Sequence, residues 1–204
     1  MKNNILLIYF VIFLNFIFFN KVQSEDVFNF DVTEVEILEE GNIFKGIKGG
    51  KVTTDDGIFI TAKNFKYDKI LNVLYADGDV IVDDTKEGVR IYTEQIEYLK
   101  SEEIILTKGG SKATDKISTI TGDEFEYKKN SNILNAKGNV EINDEQNDVV
   151  IYAEDITYLR NNEIFFTKGV TKSVIQSKYN FKSKDVFLDR NKMELSSNEK
   201  SNIQ

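Results

Sequence analysis

Two stretches decide how this chain reads: Asn72-Val73-Leu74-Tyr75-Ala76-Asp77-Gly78-Asp79-Val80-Ile81-Val82 and, sixty residues on, Asn132-Ile133-Leu134-Asn135-Ala136-Lys137-Gly138-Asn139-Val140-Glu141-Ile142. Leu74, Ala76, Gly78, Val80 and Val82 alternate with Tyr75, Asp77, Asp79 and Ile81, and the second stretch alternates in the same way with mostly polar partners. A period of two puts one set of side chains on each face of a strand. Upstream, Ile60, Phe65 and Tyr67 return as Ile120, Phe125 and Tyr127. Downstream, 11 of the 19 positions from Ile91 to Gly109 are identical to those from Ile151 to Gly169 at the same shift of 60. A constant, gapless shift makes the chain a repeat protein before any single strand is assigned.

A shorter unit lies within the long one. Phe65/Tyr67, Ile96/Tyr98, Phe125/Tyr127, Ile156/Tyr158 and Val186/Leu188 succeed one another at steps of 31, 29, 31 and 30, and Val35/Ile37 fits one step earlier. About six units of some 30 residues follow each other, each spelling two strands rich in Ile, Val, Thr, Tyr and Phe. In the first strand of each unit the apolar parity slips: Ile60 and Ala62 are even, Phe65 and Tyr67 odd, and the slip recurs between Ile91 and Ile96, Ile120 and Phe125, and Ile151 and Ile156. One extra residue at a fixed place predicts a β-bulge or sheet corner. Two architectures accommodate such units, an antiparallel open jelly roll and a parallel β-helix; the 60-residue super-repeat favours the jelly roll, in which alternate layers are alike.

Composition bounds the chemistry. The 204 residues hold 26 Lys+Arg against 34 Asp+Glu and no His, Cys, Pro or Trp. The commonest general base, the thiol nucleophile and the commonest transition-metal ligands are therefore missing. The acidic balance argues against nucleic acid as a partner, since phosphate contacts need a surplus of cations. No cofactor and no enzymatic activity are expected. Ile5 to Phe19 is almost continuously apolar, about the size of a signal h-region and short for a bilayer span, and Val22 and Ser24 are the small residues ahead of a cut before Glu25. Residues 1–24 are read as a cleaved secretory signal, with an uncleaved anchor as the rival; removal leaves 24 cationic and 34 acidic residues, a net charge of −10. The polar stretch 198–204 is expected to be a disordered tail.

The pattern of strand, Phe-x-Tyr, then Asn-x-Leu-x-Ala-x-Gly-x-Val resembles the OstA-like (organic-solvent-tolerance) domain of the lipopolysaccharide transport proteins. It stands as Phe65-Lys66-Tyr67 with Asn72 to Val80, and again as Phe125-Glu126-Tyr127 with Asn132 to Val140. The resemblance covers about Phe30 to Ser197, within a domain set at residues 25–197, and is nearest to the N-terminal periplasmic domain of the assembly protein LptD, then to the bridge protein LptA. Lys128 departs from the motif where Asp68 stands in the first copy, and no large barrel domain follows, which leaves a free-standing bridge-type protein or a partial assembly protein.

What the resemblance implies is an elongated open β-jelly roll in the periplasm, associated with the outer membrane, that holds the acyl chains of lipopolysaccharide or a similar lipid in an apolar groove. Open sheets end in unpaired backbone groups, and the first unit, Phe28 to Ile37, has strand character and no Pro to cap it, so head-to-tail docking with other jelly-roll domains through edge strands is expected. Candidate groove residues are the inward members of the alternation: Ile60, Phe65, Leu74, Val80, Ile91, Ile96, Ile104, Leu106, Phe125, Leu134, Val140, Ile151, Ile156 and Phe166. Each methylene withdrawn from water contributes about 0.8 kcal/mol, so acyl chains suit such a lining. The same alternation also lines sealed sandwiches, and an exported structural or adhesive β-solenoid without a lipid remains the alternative. Tyr67, Tyr98, Tyr127 and Tyr158 are expected to form a structural ladder, and the pairs Asp55-Asp56, Asp83-Asp84 and Glu102-Glu103 to be solvated turn carboxylates.

Overall fold

The computed structural model describes residues 27–204; the expected signal peptide, residues 1–24, lies outside the described residues. Strands follow one another with short turns: β1 (Asn29–Leu38), β2 (Ile43–Thr53), β3 (Ile58–Ala62), β4 (Asn64–Asp68), β5 (Val73–Asp84), β6 (Val89–Leu99), β7 (Ile104–Thr114), β8 (Ser118–Gly122), β9 (Glu124–Lys128), β10 (Ile133–Asp144), β11 (Val149–Leu159), β12 (Ile164–Lys168), β13 (Val170–Ile175), β14 (Tyr179–Lys184), β15 (Val186–Asp189), β16 (Glu194–Ser197) and β17 (Asn202–Ile203). Every pairing is antiparallel. The architecture is an antiparallel β-jelly roll, not a β-helix.

Each long strand, or each pair such as β3–β4 and β8–β9, turns a corner near its middle and so contributes to two arms of a wedge. The corner is where the apolar parity slips. Lys63 interrupts β3–β4, and its N–H faces the carbonyls of Asp77 (3.1 Å) and Gly78 (3.0 Å); Asp123 does the same with Lys137 (3.0 Å) and Gly138 (2.9 Å). On β5 the register jumps from Asp77↔Gln95 to Val80↔Thr93, so Gly78 and Asp79 oppose Glu94 alone. Two residues against one is a bulge, and here it bends the sheet. The left-handed φ of Gly78 (80°) and Gly138 (72°) is what glycine adopts without cost.

The arms face each other across a single core. One row runs Tyr67, Leu74, Tyr98, Ile105, Tyr127, Leu134, Tyr158, Phe165 from strand to strand, and a row on the other arm runs Val52, Ile60, Val82, Ile91, Ala113, Ile120, Ile142, Ile151. The tyrosines thus alternate with aliphatic or aromatic neighbours rather than touching one another in an unbroken stack. All of these side chains belong to one buried cluster. The last strands differ from expectation: β17 pairs with β14 through Phe181↔Ile203 and Lys182↔Asn202, so the chain end adds a short strand where a free tail was expected. The backbone groups along β14 attract it, since unpaired sheet edges take up strands.

Candidate functional site

Eleven of the fourteen candidate groove residues, Ile60, Phe65, Leu74, Val80, Ile91, Ile96, Phe125, Leu134, Val140, Ile151 and Ile156, lie in the buried core at no more than 4% exposure. Three do not. Ile104 and Leu106 sit half-buried on the outer face of β7, and Phe166 is 42% exposed on β12. Tyr98 pairs with Ile105, and Tyr158 with Phe165, so the inward positions of these strands are Ile105/Thr107 and Phe165/Thr167. In Val35 and Ile37 the first unit also breaks the pattern. Both are exposed, because β1 passes a bulge between Val32 and Glu34 and turns Phe28 and Phe30 toward the core instead.

Along most of the wedge the core is packed. Shallower pockets of about 440 and 430 Å³ at the corners are lined in part by Val80 and Val140. A cavity of about 610 Å³ opens at the β1 end, lined by Val27, Phe28, Asn29, Phe30, Val35, Phe44, Lys45, Gly46, Tyr67, Lys69 and Asn72. Its volume is that of a small-ligand pocket. None of the fourteen candidates lines it. Its wall is aromatic: Phe28 meets Tyr67 edge-on at 4.9 Å, Phe30 stacks over Phe44 at 6.3 Å, and Phe28 reaches Tyr98 at 5.7 Å. The Lys69 ammonium stands 4.5 Å from the centre of the Phe44 ring. The clustering of Phe28, Phe30 and Phe44 on the first two strands was the available sequence signal.

Beyond that cavity the mouth of the wedge is closed by a polar seam. The turn before β3 and those after β5, β7 and β10 bring up Asp56, Asp84, Glu87, Asp115 and Asp144; the turns on the other lip bring up Lys100, Lys129, Arg160 and Arg190. Asp56 bridges Lys100 and Lys129, each at 3.1 Å. Tyr127 donates to Asp84 (2.9 Å), and Asn132 donates to Glu87 (2.6 Å). Arg160 donates to the Glu87 carbonyl (3.1 Å) and lies 4.0 Å from Asp115. Arg190 pairs with Asp144 and with Glu163, both at 2.9 Å. Of the acidic pairs expected to be solvated, Asp55 and Glu102 are exposed, whereas Asp56, Asp84 and Glu103 are taken up by Lys100, Lys129, Tyr127 and Tyr98; Asp144, 2% exposed, is a further seam partner.

The seam is itself periodic. Lys69, Lys100, Lys129, Arg160 and Arg190 recur at steps of 31, 29, 31 and 30, each two residues after Tyr67, Tyr98, Tyr127, Tyr158 and Leu188. Three residues beyond each cation the backbone turns left-handed, at Asn72, Glu103, Asn132, Glu163 and Met193, with φ between 52° and 56°. Tyr67 donates to Asn72 (3.0 Å), Tyr98 to Glu103 (2.8 Å) and Tyr158 to Glu163 (2.7 Å). Tyr127 breaks the rule by crossing to Asp84. Burial, then the acids they face, hold the Tyr98, Tyr127 and Tyr158 hydroxyls far above the usual phenol range, so they act as donors at any physiological pH.

No group of three or more acidic side chains suited to a metal occurs among the described residues. What the site offers is apolar volume edged by ammonium groups.

No family model matches the chain, and no curated protein matches it. Among solved structures it is similar to LptH of Pseudomonas aeruginosa, the LptA-homologous periplasmic component of a lipopolysaccharide transport device, with a TM-score of 0.50 over 54% of this chain and 81% of that one. The chain shares that fold. At 17% identity the likeness to LptH speaks to the fold and not to individual side chains.

Proposed function

We propose that the protein is a periplasmic component of lipopolysaccharide transport that holds lipid acyl chains, working as one jelly-roll module of a bridge to the outer membrane. The observation that carries this reading is the 610 Å³ aromatic cavity at the β1 end of a fold shared with LptH. Each buried methylene contributes about 0.8 kcal/mol, so tails drive binding while the sugar head stays in water. The apolar signal-like segment 5–19 supports export. Edge strand β1, with Val35, Ile37 and Leu38 exposed beside an unpaired backbone edge, supports docking to a like module.

The packed middle of the wedge favours the second reading, an exported structural rod without a lipid. Photocrosslinking from Phe30 and Phe44 in cells making lipopolysaccharide separates the two. Lipid adducts from these positions and not from Tyr92 and Tyr152 on the outer face support the carrier. Adducts at equal yield from all four, or from none, leave the rod.

A further inference from the structure

The row of five cations and the 610 Å³ cavity share an end, and the coincidence has a physical reason. Lys100, Lys129, Arg160 and Arg190 are each engaged by acids, and in all four cases a carboxylate or main-chain carbonyl from the opposite lip closes the mouth over them. Their side chains are 4–12% exposed. A buried ammonium or guanidinium without a counter-charge is costly, so the acids of the other lip are what permit closure.

Lys69 is the member of the row that lacks this. Among the described residues no carboxylate lies within salt-bridge distance of its ammonium; its partner is the Phe44 ring, and it is exposed at the cavity rim. At Lys69, where no carboxylate among the described residues reaches the ammonium, a cavity opens. The cavity therefore presents an aromatic interior and, at the place in the row where the later rungs carry a carboxylate-paired cation, an ammonium that no carboxylate among the described residues pairs.

We infer that Lys69 binds the anionic group of an amphiphile whose hydrocarbon chain occupies the Phe28–Phe30–Phe44 cavity, the ligand's phosphate or carboxylate taking the place that Asp56 holds opposite Lys100 and Lys129. This rests on the carrier reading and adds a headgroup preference to it. The aromatic wall fixes the chain, and the ammonium, already attracted by the ring face, selects the charge.

Isothermal titration of the purified protein with three dodecyl amphiphiles tests it: dodecyl phosphate, dodecanoate and the uncharged dodecyl maltoside. The expected result is binding of all three, with the anions about tenfold tighter than the maltoside at low salt. The advantage should disappear in Lys69→Met, which keeps a flexible apolar stem over Phe44, and persist in Lys69→Arg. Because Lys69 is exposed, neither variant threatens the fold. A larger advantage for the phosphate than for dodecanoate points to a phosphorylated headgroup, and equal advantages to any anion. An anion preference unchanged in Lys69→Met, or absent from the unaltered protein while the maltoside still binds, overturns the inference and leaves the carrier reading standing. Failure of all three to bind removes both.

Discussion

Asp56 shows what one side chain contributes to closing the wedge. Burial works to raise its pKa, but bonds from Thr54 and from the ammoniums of Lys129 and Lys100 outweigh it and hold the carboxyl well below the usual carboxylate range. A folded-state pKa lower than the unfolded one stabilises above the unfolded value, near 4, and is lost as pH falls below it. Asp56→Asn should therefore lower the urea midpoint at pH 7 by an amount equivalent to about 1 kcal/mol, and the gap to the unaltered protein should narrow progressively below about pH 4. A gap independent of pH would assign Asp56 a role other than its charge. At this scale the sequence was only partly legible. Ile60, Phe65 and Leu74 alternate cleanly and read inward, as found. The run Ile104-Ile105-Leu106 has no alternation to read, and its facing is set by the pairing of Tyr98 with Ile105, which lies in the fold and not in the run. The seam was hidden for another reason. Asp84 and Tyr127 are 43 residues apart, and nothing local distinguishes an acid that crosses to the other lip from one that faces water.

Among the elements, β1 matters most because it supplies Phe30 to the cavity and anchors Phe28 just ahead of it, while being held on one side only, by β2. Gly50 sits opposite Val32 at the bulge that lets β1 follow the corner, and a Cβ there would come within 2.6 Å of the Val32 Cα and 2.5 Å of the Asp31 carbonyl oxygen. Backbone cannot yield as a side-chain tip does. Gly50→Ala should peel β1 from β2, read as faster amide exchange confined to residues 29–38, with the β5–β11 pairings unchanged. Uniform protection in the variant would show that β1 is not individually vulnerable. The corners themselves were legible, since a parity slip at Lys63 or Asp123 is a bulge written in sequence. The chain end was not: Asn202 and Ile203 carry little strand signal and pair only because β14 offers a free edge.

For the molecule as a whole, two states of one wedge lie side by side. From Lys100 to Arg190 the lips are joined by ion pairs and the interior is packed; at Lys69 no ion pair joins them among the described residues, and a cavity opens. A carrier needs the second state, whereas a rod needs only the first. Eleven of the fourteen alternating residues lie in the packed core, so the proposed binding is placed at the first layer, where the aromatic cavity opens. The sequence pattern could place those residues inward, but how far two arms stand apart depends on side chains from distant turns. The most direct test is a crystal structure of the protein grown with dodecyl maltoside. The account predicts continuous hydrocarbon density between Phe28, Phe30 and Phe44, with the seam from Asp56 to Arg190 intact. A cavity filled by the protein's own collapsed side chains, with the detergent bound elsewhere or not at all, would contradict it.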